Sequence, residues 1–172
     1  MKSYKKKLND ITTFIFDVDG VLTDGSISLL KNEMVRNLNS RDGYAIQYAS
    51  KMGYRIFIIT GGNSKQVEST LSNLGVTEIF MKSYNKLKVY NEIKSKYNIK
   101  DINVVYMGDD IPDYKVMQIV GLSACPQDAA TEIKEVSHYQ SPFKGGRHCV
   151  RDIIEQVLRV QKKWFTESAF EW

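Results

Sequence analysis

Two aspartates separated by a single residue are the first sign of chemistry in this chain. Asp17 and Asp19 lie in FIFDVDGVLTDG, residues 14–25, at the end of a run of β-forming apolar residues. Two like charges at the tip of a buried strand repel each other, so such a site favours a bound cation. Gly20 follows and allows a sharp turn. The segment predicts a Mg²⁺ site with a carboxylate nucleophile, and the alternative is an Asx-type turn that ends a strand.

Further polar residues follow later segments in a defined order. Thr60 ends strand-like RIFIIT and precedes Gly61, and a hydroxyl beside free backbone N–H groups can cradle a phosphate. Lys86 begins a helical stretch, and the apolar segment NVVYM then leads into GDDIPD, which adds three carboxylates: Asp109, Asp110 and Asp113. Each residue alone is also typical of a turn or a solvated helix. The ordered set supplies a nucleophile, an acid, phosphate ligands and metal ligands.

The elements that must position these residues alternate between strand and helix patterns. This alternation predicts an α/β fold with a parallel sheet, helices on both faces, and ligands at the carboxyl ends of the strands. We predict strands at 11–17, 55–59, 77–80, 103–107, 121–124 and 137–140, and helices at 42–52, 63–74, 86–97, 112–120, 129–135 and 148–163. Residues 26–38 alternate around a polar turn, which predicts a β-hairpin flap and leaves no room for a cap domain.

The composition, with 42% hydrophobic and 26% charged residues, indicates one globular domain over residues 1–172. The net charge is +4, and we predict a solvated basic tail over residues 1–10, which contains Lys2, Lys5, Lys6 and Lys7. No apolar run suggests a secretory signal or a membrane span. No aromatic residues interleave with basic ones in a pattern typical of nucleic-acid binding. Two separated cysteines, Cys125 and Cys149, are typical of a reducing compartment, so we expect the cytoplasm.

The order DVDG, ITG, Lys, GDDxxD resembles the haloacid dehalogenase superfamily of phosphotransferases. More narrowly, DVDGVLTDG, RDGYAIQ, IITGG, GDDIPD and GGR resemble the 3-deoxy-D-manno-octulosonate 8-phosphate (KDO-8-phosphate) phosphatases over residues 11–160. The resemblance implies a capless three-layer Rossmann-like core that hydrolyses KDO-8-phosphate to KDO and phosphate in the cytoplasm, as a step of lipopolysaccharide biosynthesis. Close relatives act on phosphates of nine-carbon keto acids of the KDN or sialic acid type, so that substrate class stays open.

The resemblance also implies a role for each motif residue. Asp17 is expected to form an aspartyl-phosphate, while Asp19 protonates the leaving oxygen and later takes a proton from water. Mg²⁺ is expected at Asp17, the backbone carbonyl of Asp19 and Asp109. Thr60, Gly61 and Lys86 are expected to bind the phosphate. The remaining two carboxylates of GDDIPD are expected to orient waters or the lysine: Asp110 and Asp113.

Residues that contact the sugar acid are harder to predict. Arg147, on a Gly-Gly-Arg turn, can bind a carboxylate with two hydrogen bonds, and the alternative is an exposed salt bridge. Many members of the family carry Arg directly after ITG or one residue later, where it can meet the sugar acid. Here those positions are Gly62 and Asn63, which leaves Asn63 as a candidate substrate contact.

Without a cap the substrate is partly exposed to water, and a neighbouring subunit is the obvious cover. The family that this chain resembles is tetrameric, with flaps and tails of adjacent subunits closing the site. The C-terminal tail, residues 161–172, is rich in aromatic residues, which are enriched at interfaces: Trp164, Phe165, Phe170 and Trp172. We therefore predict a homotetramer with flap and tail at its interfaces. The alternative is that these aromatic residues pack on the chain's own core.

Two non-enzymatic classes of protein are also considered. A phospho-receiver domain uses paired acids, a phosphorylated Asp, Thr and Lys on an α/β fold, but its paired acids end the first strand and its phosphorylated Asp comes later. Here the DxD motif ends the first strand and GDD comes last. A regulatory domain that has lost its activity usually lacks a key carboxylate, and none is missing here. Turnover of a phosphate ester would discriminate both from an enzyme.

Overall fold

A six-stranded parallel sheet forms the centre of the protein. The computed structural model describes residues 4–31 and 34–171, so the predictions that involve Lys2 and Trp172 lie outside the described residues. The strands are β1 (Thr13–Phe16), β2 (Ser28–Leu29), β3 (Met34–Val35), β4 (Arg55–Ile59), β5 (Glu78–Phe80), β6 (Val104–Met107), β7 (Leu122–Cys125) and β8 (Tyr139–Gln140). The order across the sheet is β5-β4-β1-β6-β7-β8, and every neighbouring pair is parallel. The predicted α/β fold with a parallel sheet is therefore confirmed.

Helices cover both faces of this sheet. They are α1 (Ser40–Lys51), α2 (Lys65–Asn73), α3 (Lys86–Tyr97), α4 (Tyr114–Met117), α5 (Thr131–Val136) and α6 (Cys149–Val160). On β1, Phe14 and Phe16 pack into the core cluster shared with α1, α2 and α6, whereas Ile15 packs into the cluster shared with α3, α4 and α5. Successive strand residues point to opposite faces, which is why one apolar strand fills both cores.

The segment between β1 and α1 is a small flap rather than a domain. β2 and β3 pair in antiparallel register, with Ser28 opposite Val35 and Leu29 opposite Met34. The described residues of this segment contain only that hairpin, in agreement with the predicted capless core. Four apolar side chains of the flap are exposed: Ile27, Leu29, Leu30 and Met34.

One predicted helix has a different form. Residues 112–120 were expected to be a single helix, but Ile111–Asp113 form a 3-10 turn and only Tyr114–Met117 are α-helical. Pro112 suits the first turn of a helix because it needs no N–H partner there. The short turn contains Asp113, whose carboxylate is buried and accepts a hydrogen bond from Tyr106 of β6.

The N-terminal segment is not the solvated tail that its lysines predict. Residues Tyr4–Asp10 form a 3-10 helix, Leu8 is fully buried, and the Tyr4 hydroxyl donates to Oε1 of Gln156 at 2.8 Å. Lys7 donates to the carbonyl of Gly121 at 2.6 Å. Tyr4 and Leu8, on either side of the three consecutive lysines, anchor the segment, while Lys5 and Lys6 remain exposed.

The C-terminal tail begins by packing on its own chain. The Trp164 ring meets Tyr48 edge-on, with centroids 5.2 Å apart, and the Tyr48 hydroxyl donates to the carbonyl of Lys163 at 3.0 Å. Phe165 and Phe170 contact each other but are 71% and 73% exposed. Trp164 therefore packs on its own chain, which was the alternative to an interface role, whereas the rings of Phe165 and Phe170 remain exposed. Within the described residues, no helix combines the length and apolar character that crossing a membrane requires.

Candidate active site

The carboxyl ends of three neighbouring strands bring the predicted residues together. Asp17 follows β1 directly, Thr60 follows β4, and Asp109 lies two residues after β6. Because β1 lies between β4 and β6, these side chains meet at one edge of the sheet. They line a cavity of about 470 Å³, together with Asp19, Gly20, Gly25, Gly61, Gly62, Ser83, Tyr84, Lys86, Asp110, Pro112 and Asp113.

The turn after Asp17 depends on a glycine. Gly20 adopts φ +84, a left-handed conformation that side chains disfavour. A Cβ atom at this position would lie 2.0 Å from Oδ2 of Asp109. The absence of a side chain therefore lets the backbone that carries Asp19 pass directly beside the carboxylate of Asp109.

A buried lysine connects two of the carboxylates. Nζ of Lys86 lies 2.9 Å from Oδ2 of Asp17 and 2.7 Å from Oδ1 of Asp113. The buried Tyr106 hydroxyl also donates to Oδ1 of Asp113. Burial alone would lower the pKa of Lys86, but its attraction to Asp113 and Asp17 outweighs this and raises the pKa. Lys86 is therefore a fixed cation that lines the cavity, and it is held by Asp17 and Asp113.

Three carboxyl groups form a site that fits a hard divalent cation. Asp17, Asp109 and Asp113 each offer an oxygen within 4.8 Å of the others. Oδ1 of Asp109 and Oδ2 of Asp113 are buried without a hydrogen-bond partner among the described residues. Burial, with repulsion from neighbouring carboxylates, raises the pKa of Asp17 to about 7 and that of Asp109 to about 8. Unpartnered oxygens and crowded negative charge are what Mg²⁺ would relieve.

The carboxylate of Asp19 lies outside this acidic group and binds an arginine instead. Nε and Nη2 of Arg36 donate to Oδ1 and Oδ2 of Asp19 at 2.7 and 3.1 Å. Arg36 directly follows β3, so it reaches the site from the flap. Sequence reasoning missed this residue, because a single basic residue in a polar hairpin carries no signal of its long-range partner.

The phosphate-binding candidates lie where the sequence predicts them. Thr60 is buried and its Oγ1 accepts from the backbone N–H of Gly62 at 3.1 Å, which shapes the loop after β4. Gly61 lines the cavity, and a Cβ atom there would contact nothing within 4 Å. Two further lining residues were not predicted: Ser83 is buried, and Tyr84 is 88% exposed at the mouth.

Two predicted substrate contacts are not brought to the cavity of this chain. Asn63 and Arg147 are both exposed and neither lines it. Arg147 instead lies close enough to Asp24 to help lower the pKa of that carboxyl, after hydrogen bonds from Ser26. The role of Arg147 as a substrate ligand, in its own or a neighbouring subunit, therefore stays a prediction. Asp110 lines the cavity and is exposed, and its expected orienting role stays a prediction.

The RDG and GGR motifs are joined by one buried carboxylate. Asp42 at the start of α1 accepts hydrogen bonds from the backbone N–H groups of His148 and Arg151, at 3.1 and 2.7 Å. It thereby satisfies free donors at the N-terminus of α6. The turn before α6 packs against the active-site loop, since a Cβ atom at Gly145 would lie 2.0 Å from the carbonyl oxygen of Gly20. These motifs therefore support the position of the loop that carries Asp19.

Comparisons with known proteins agree with this geometry. The family model described as haloacid dehalogenase-like hydrolase matches residues 63–150. The chain is also 38% identical, over 158 residues, to 3-deoxy-D-manno-octulosonate 8-phosphate phosphatase KdsC of Escherichia coli (strain K12). The aligned residues cover 91% of this chain and 84% of that protein. The chain belongs to the haloacid dehalogenase-like hydrolases.

Solved structures of haloacid dehalogenase-like hydrolases share the whole architecture. The 3-deoxy-D-manno-octulosonate 8-phosphate phosphatase from Yersinia pestis superposes with a TM-score of 0.91 at 34% identity, covering 94% of this chain and 88% of that one. The phosphatase of the same name from Moraxella catarrhalis was solved with magnesium, phosphate and KDO. Its TM-score is 0.92 at 29% identity, and the superposition covers 99% of this chain and 97% of that one.

The raised pKa values predict that Mg²⁺ stabilises the protein more at high pH. A carboxyl whose pKa is higher in the folded than in the unfolded state stabilises the fold at low pH, and this contribution is lost as the pH rises through the folded value. For Asp17 and Asp109 the loss therefore extends from about pH 4 to about pH 8. Mg²⁺ binds the deprotonated groups, so its increase in melting temperature should be larger at about pH 8.5 than at about pH 6.

Thermal unfolding with and without Mg²⁺ across this pH range measures the effect. The variant Asp109→Asn should lose most of the Mg²⁺-dependent gain. Asp10→Asn is the matched control, because Asp10 is exposed at the opposite end of β1. A gain of equal size at all pH values would contradict the assignment of these carboxyl groups to the metal.

Proposed function

We propose that this chain is a Mg²⁺-dependent phosphatase that hydrolyses 3-deoxy-D-manno-octulosonate 8-phosphate to KDO and phosphate. The observation that carries the proposal is the buried Asp17 carboxylate, held by Lys86 beside two unpartnered carboxylate oxygens at the edge of the sheet. The identity to the Escherichia coli enzyme over most of both chains supports this substrate in particular. We also propose lipopolysaccharide biosynthesis as the setting, since KDO implies it, and the cytoplasm as the compartment, since both cysteines are free.

In the first half-reaction, a carboxylate oxygen of Asp17 attacks phosphorus in line and forms an aspartyl-phosphate as the bond to the sugar oxygen breaks. Asp19 donates a proton to that leaving oxygen. Lys86 and Thr60 would hold the phosphoryl oxygens, whose charge spreads in the transition state. Lys86 keeps its orientation during the reaction because Asp113 binds it independently of Asp17.

In the second half-reaction, a water oxygen attacks the phosphorus of the aspartyl-phosphate, and Asp19 accepts the water proton. The bond to Asp17 then breaks, which releases phosphate and restores both carboxyl groups to their starting forms. Asp17, Asp109 and the backbone carbonyl of Asp19 would hold Mg²⁺, with Oδ2 of Asp113 nearby. When bound, the ion supplies positive charge that lowers the repulsion between nucleophile and phosphoryl group.

A panel of phosphate esters tests the proposed substrate. The panel contains KDO-8-phosphate, the 9-phosphate of a nine-carbon keto acid such as KDN, a neutral sugar phosphate and p-nitrophenyl phosphate. We expect the highest kcat/KM on KDO-8-phosphate. A preference for the nine-carbon ester would reassign the substrate, and no turnover of any ester would support a receiver or regulatory domain instead.

We also propose that the enzyme is a homotetramer whose flaps and tails cover neighbouring active sites. Apolar side chains that are exposed to solvent in the single chain support this proposal. Leu29 of the flap is 78% exposed, and Phe165 and Phe170 of the tail are 71% and 73% exposed. Exposed apolar residues grouped on two short segments are typical of an interface.

Replacing both exposed tail rings tests this assembly. The double variant Phe165→Ser/Phe170→Ser is expected to dissociate into smaller species, because each ring would lose its apolar contact with a neighbour. Its kcat/KM on KDO-8-phosphate should fall by about tenfold or more, and less on p-nitrophenyl phosphate, which has no remote part for the tail to contact. Light scattering coupled to size-exclusion chromatography and steady-state kinetics provide the two measurements.

The control for the tail is Ile102→Ser, which removes an apolar side chain that is 56% exposed and lies just before β6, outside the tail and the flap. This variant should keep both the assembly and the kinetics of the wild type. Trp164 is left in place because it packs on Tyr48 of its own chain. An equal loss on both esters would indicate destabilisation, and no loss on either would show that the tail does not serve catalysis.

A further inference from the structure

The flap carries one charged side chain that binds a residue of the active site. Arg36 lies directly after β3, and its side chain is only 5% exposed although the hairpin that carries it is largely in contact with solvent. Nε and Nη2 bind the two oxygens of Asp19 in a forked pair. Arginine is seldom buried to this extent unless its guanidinium binds acceptors on more than one side.

The guanidinium of Arg36 has a second edge that remains unused. Nη1 is buried and has no hydrogen-bond partner among the described residues. A buried N–H group without an acceptor costs free energy, and a guanidinium is planar, so its Nη1 edge can bind a second anion while the first pair stays intact. The structure therefore contains a preformed donor beside the residue that is expected to protonate the leaving group.

A glycine in the loop after β4 makes space for this guanidinium. A Cβ atom at Gly62 would lie 3.3 Å from Nη2 of Arg36 and 3.5 Å from Oδ2 of Asp19. Any side chain at this position would have to share the space that Arg36 occupies. Arg36 thus lies against Asp19 and Gly62, two residues that line the cavity, between the flap and the loop that follows Thr60.

The charges of the site indicate which part of a substrate this donor can meet. The phosphoryl group is expected at Asp17, where Lys86 supplies the positive charge. Asp19 is expected at the leaving oxygen, and Arg36 approaches Asp19 from the flap. A donor that is bound to Asp19 is therefore next to the expected leaving group, and 3-deoxy-D-manno-octulosonate is a leaving group with a carboxylate.

We propose that Arg36 is a substrate-binding residue of this phosphatase, which holds Asp19 with its Nε–Nη2 edge and binds the carboxylate of the sugar acid through Nη1. The proposal rests on the proposed function and deepens it, because it gives the flap a role in choosing acidic leaving groups. A neutral ester gains nothing from this contact. The enzyme therefore discriminates by leaving-group charge as well as by shape.

The test compares Arg36→Gln and Arg36→Lys with the wild type on KDO-8-phosphate and on a neutral sugar phosphate such as glucose 6-phosphate. Both esters have alcohol leaving groups that need a proton from Asp19, so any effect of Arg36 on Asp19 lowers turnover of both alike, and the ratio of the two kcat/KM values isolates the carboxylate contact. We expect this ratio to fall by about 10- to 100-fold in Arg36→Gln, mainly through KM on the sugar acid. Arg36→Lys should be intermediate, because lysine keeps the charge but loses the fork.

Inhibition of p-nitrophenyl phosphate hydrolysis distinguishes the carboxylate from the phosphoryl group as the anion that Arg36 binds. The inhibition constant of free KDO should rise in Arg36→Gln, whereas that of inorganic phosphate should change little. The matched control is Arg41→Gln, which removes an exposed arginine close to the flap and should leave all values unchanged. Melting temperatures of the variants verify folding.

Three outcomes would overturn the assignment. An unchanged ratio, with or without an equal loss on both esters, would limit Arg36 to positioning Asp19. A weaker inhibition by phosphate but not by KDO would assign Nη1 to the phosphoryl group. If the wild type itself shows no preference for KDO-8-phosphate, the proposed function fails first and the carboxylate contact fails with it; a normal preference with an unchanged variant ratio overturns only the role of Arg36.

Discussion

Replacing Asp17 with asparagine is expected to abolish turnover while the protein remains folded. Asparagine has nearly the same shape as aspartate, but its amide is a poor nucleophile, so we expect activity to fall by at least about 10³-fold. Lys86 keeps its ion pair with Asp113, and the repulsion that raises the pKa of Asp17 is removed. The melting temperature of the metal-free variant should therefore equal or exceed that of the wild type.

Steady-state turnover of KDO-8-phosphate and circular dichroism melting measure these two effects. Asp10→Asn, an exposed aspartate at the opposite end of β1, is the matched control for the same chemical change and should keep full activity. Residual turnover of Asp17→Asn above a few per cent of the wild-type rate would assign the nucleophile to another group.

Removing the metal is expected to have an effect of similar size. Treatment with EDTA should lower turnover by about 10³-fold or more, because the charge that offsets the carboxylates and the phosphoryl group is lost. Re-addition of Mg²⁺ should restore the rate. Ca²⁺ should restore it poorly, since calcium takes more ligands at longer distances and fits an in-line attack less well.

The chelation experiment needs a check that the protein itself survives. Circular dichroism before and after EDTA should be the same, because two extensive apolar clusters, rather than the acidic group, hold the sheet and helices together. Full activity in thoroughly chelated buffer would contradict a metal-dependent mechanism. Equal restoration by Ca²⁺ and Mg²⁺ would contradict the expected octahedral site.

The sequence by itself determined the fold class and most of the reactive centre. Apolar segments that each end in polar residues are local patterns, and alternation with helices requires parallel strands. Once the strands are parallel, their carboxyl ends lie at one edge, so Asp17, Thr60 and Asp109 must converge. The position of Lys86 at the start of a helix follows from the same local pattern.

Only the tertiary structure decided which side-chain partners these residues have. The pairing of Arg36 with Asp19 depends on how a short flap folds back, and the contact of Tyr106 with Asp113 depends on a turn that periodicity predicted as a longer helix. Neither partner is encoded by spacing along the chain. Both contacts are made by side chains that the sequence alone would place on unrelated elements.

At the surface of the site, too, the sequence alone did not determine which side chains reach the cavity. Asn63 and Arg147 lie close in sequence to reactive motifs, but the structure leaves both exposed and outside the cavity. The basic N-terminal segment likewise packs through Leu8, because burying one apolar side chain outweighs the charge of its neighbours, which can remain in water. Local pattern determines strands, helices and the residues at their ends, whereas the direction of loops and side chains depends on packing between distant segments.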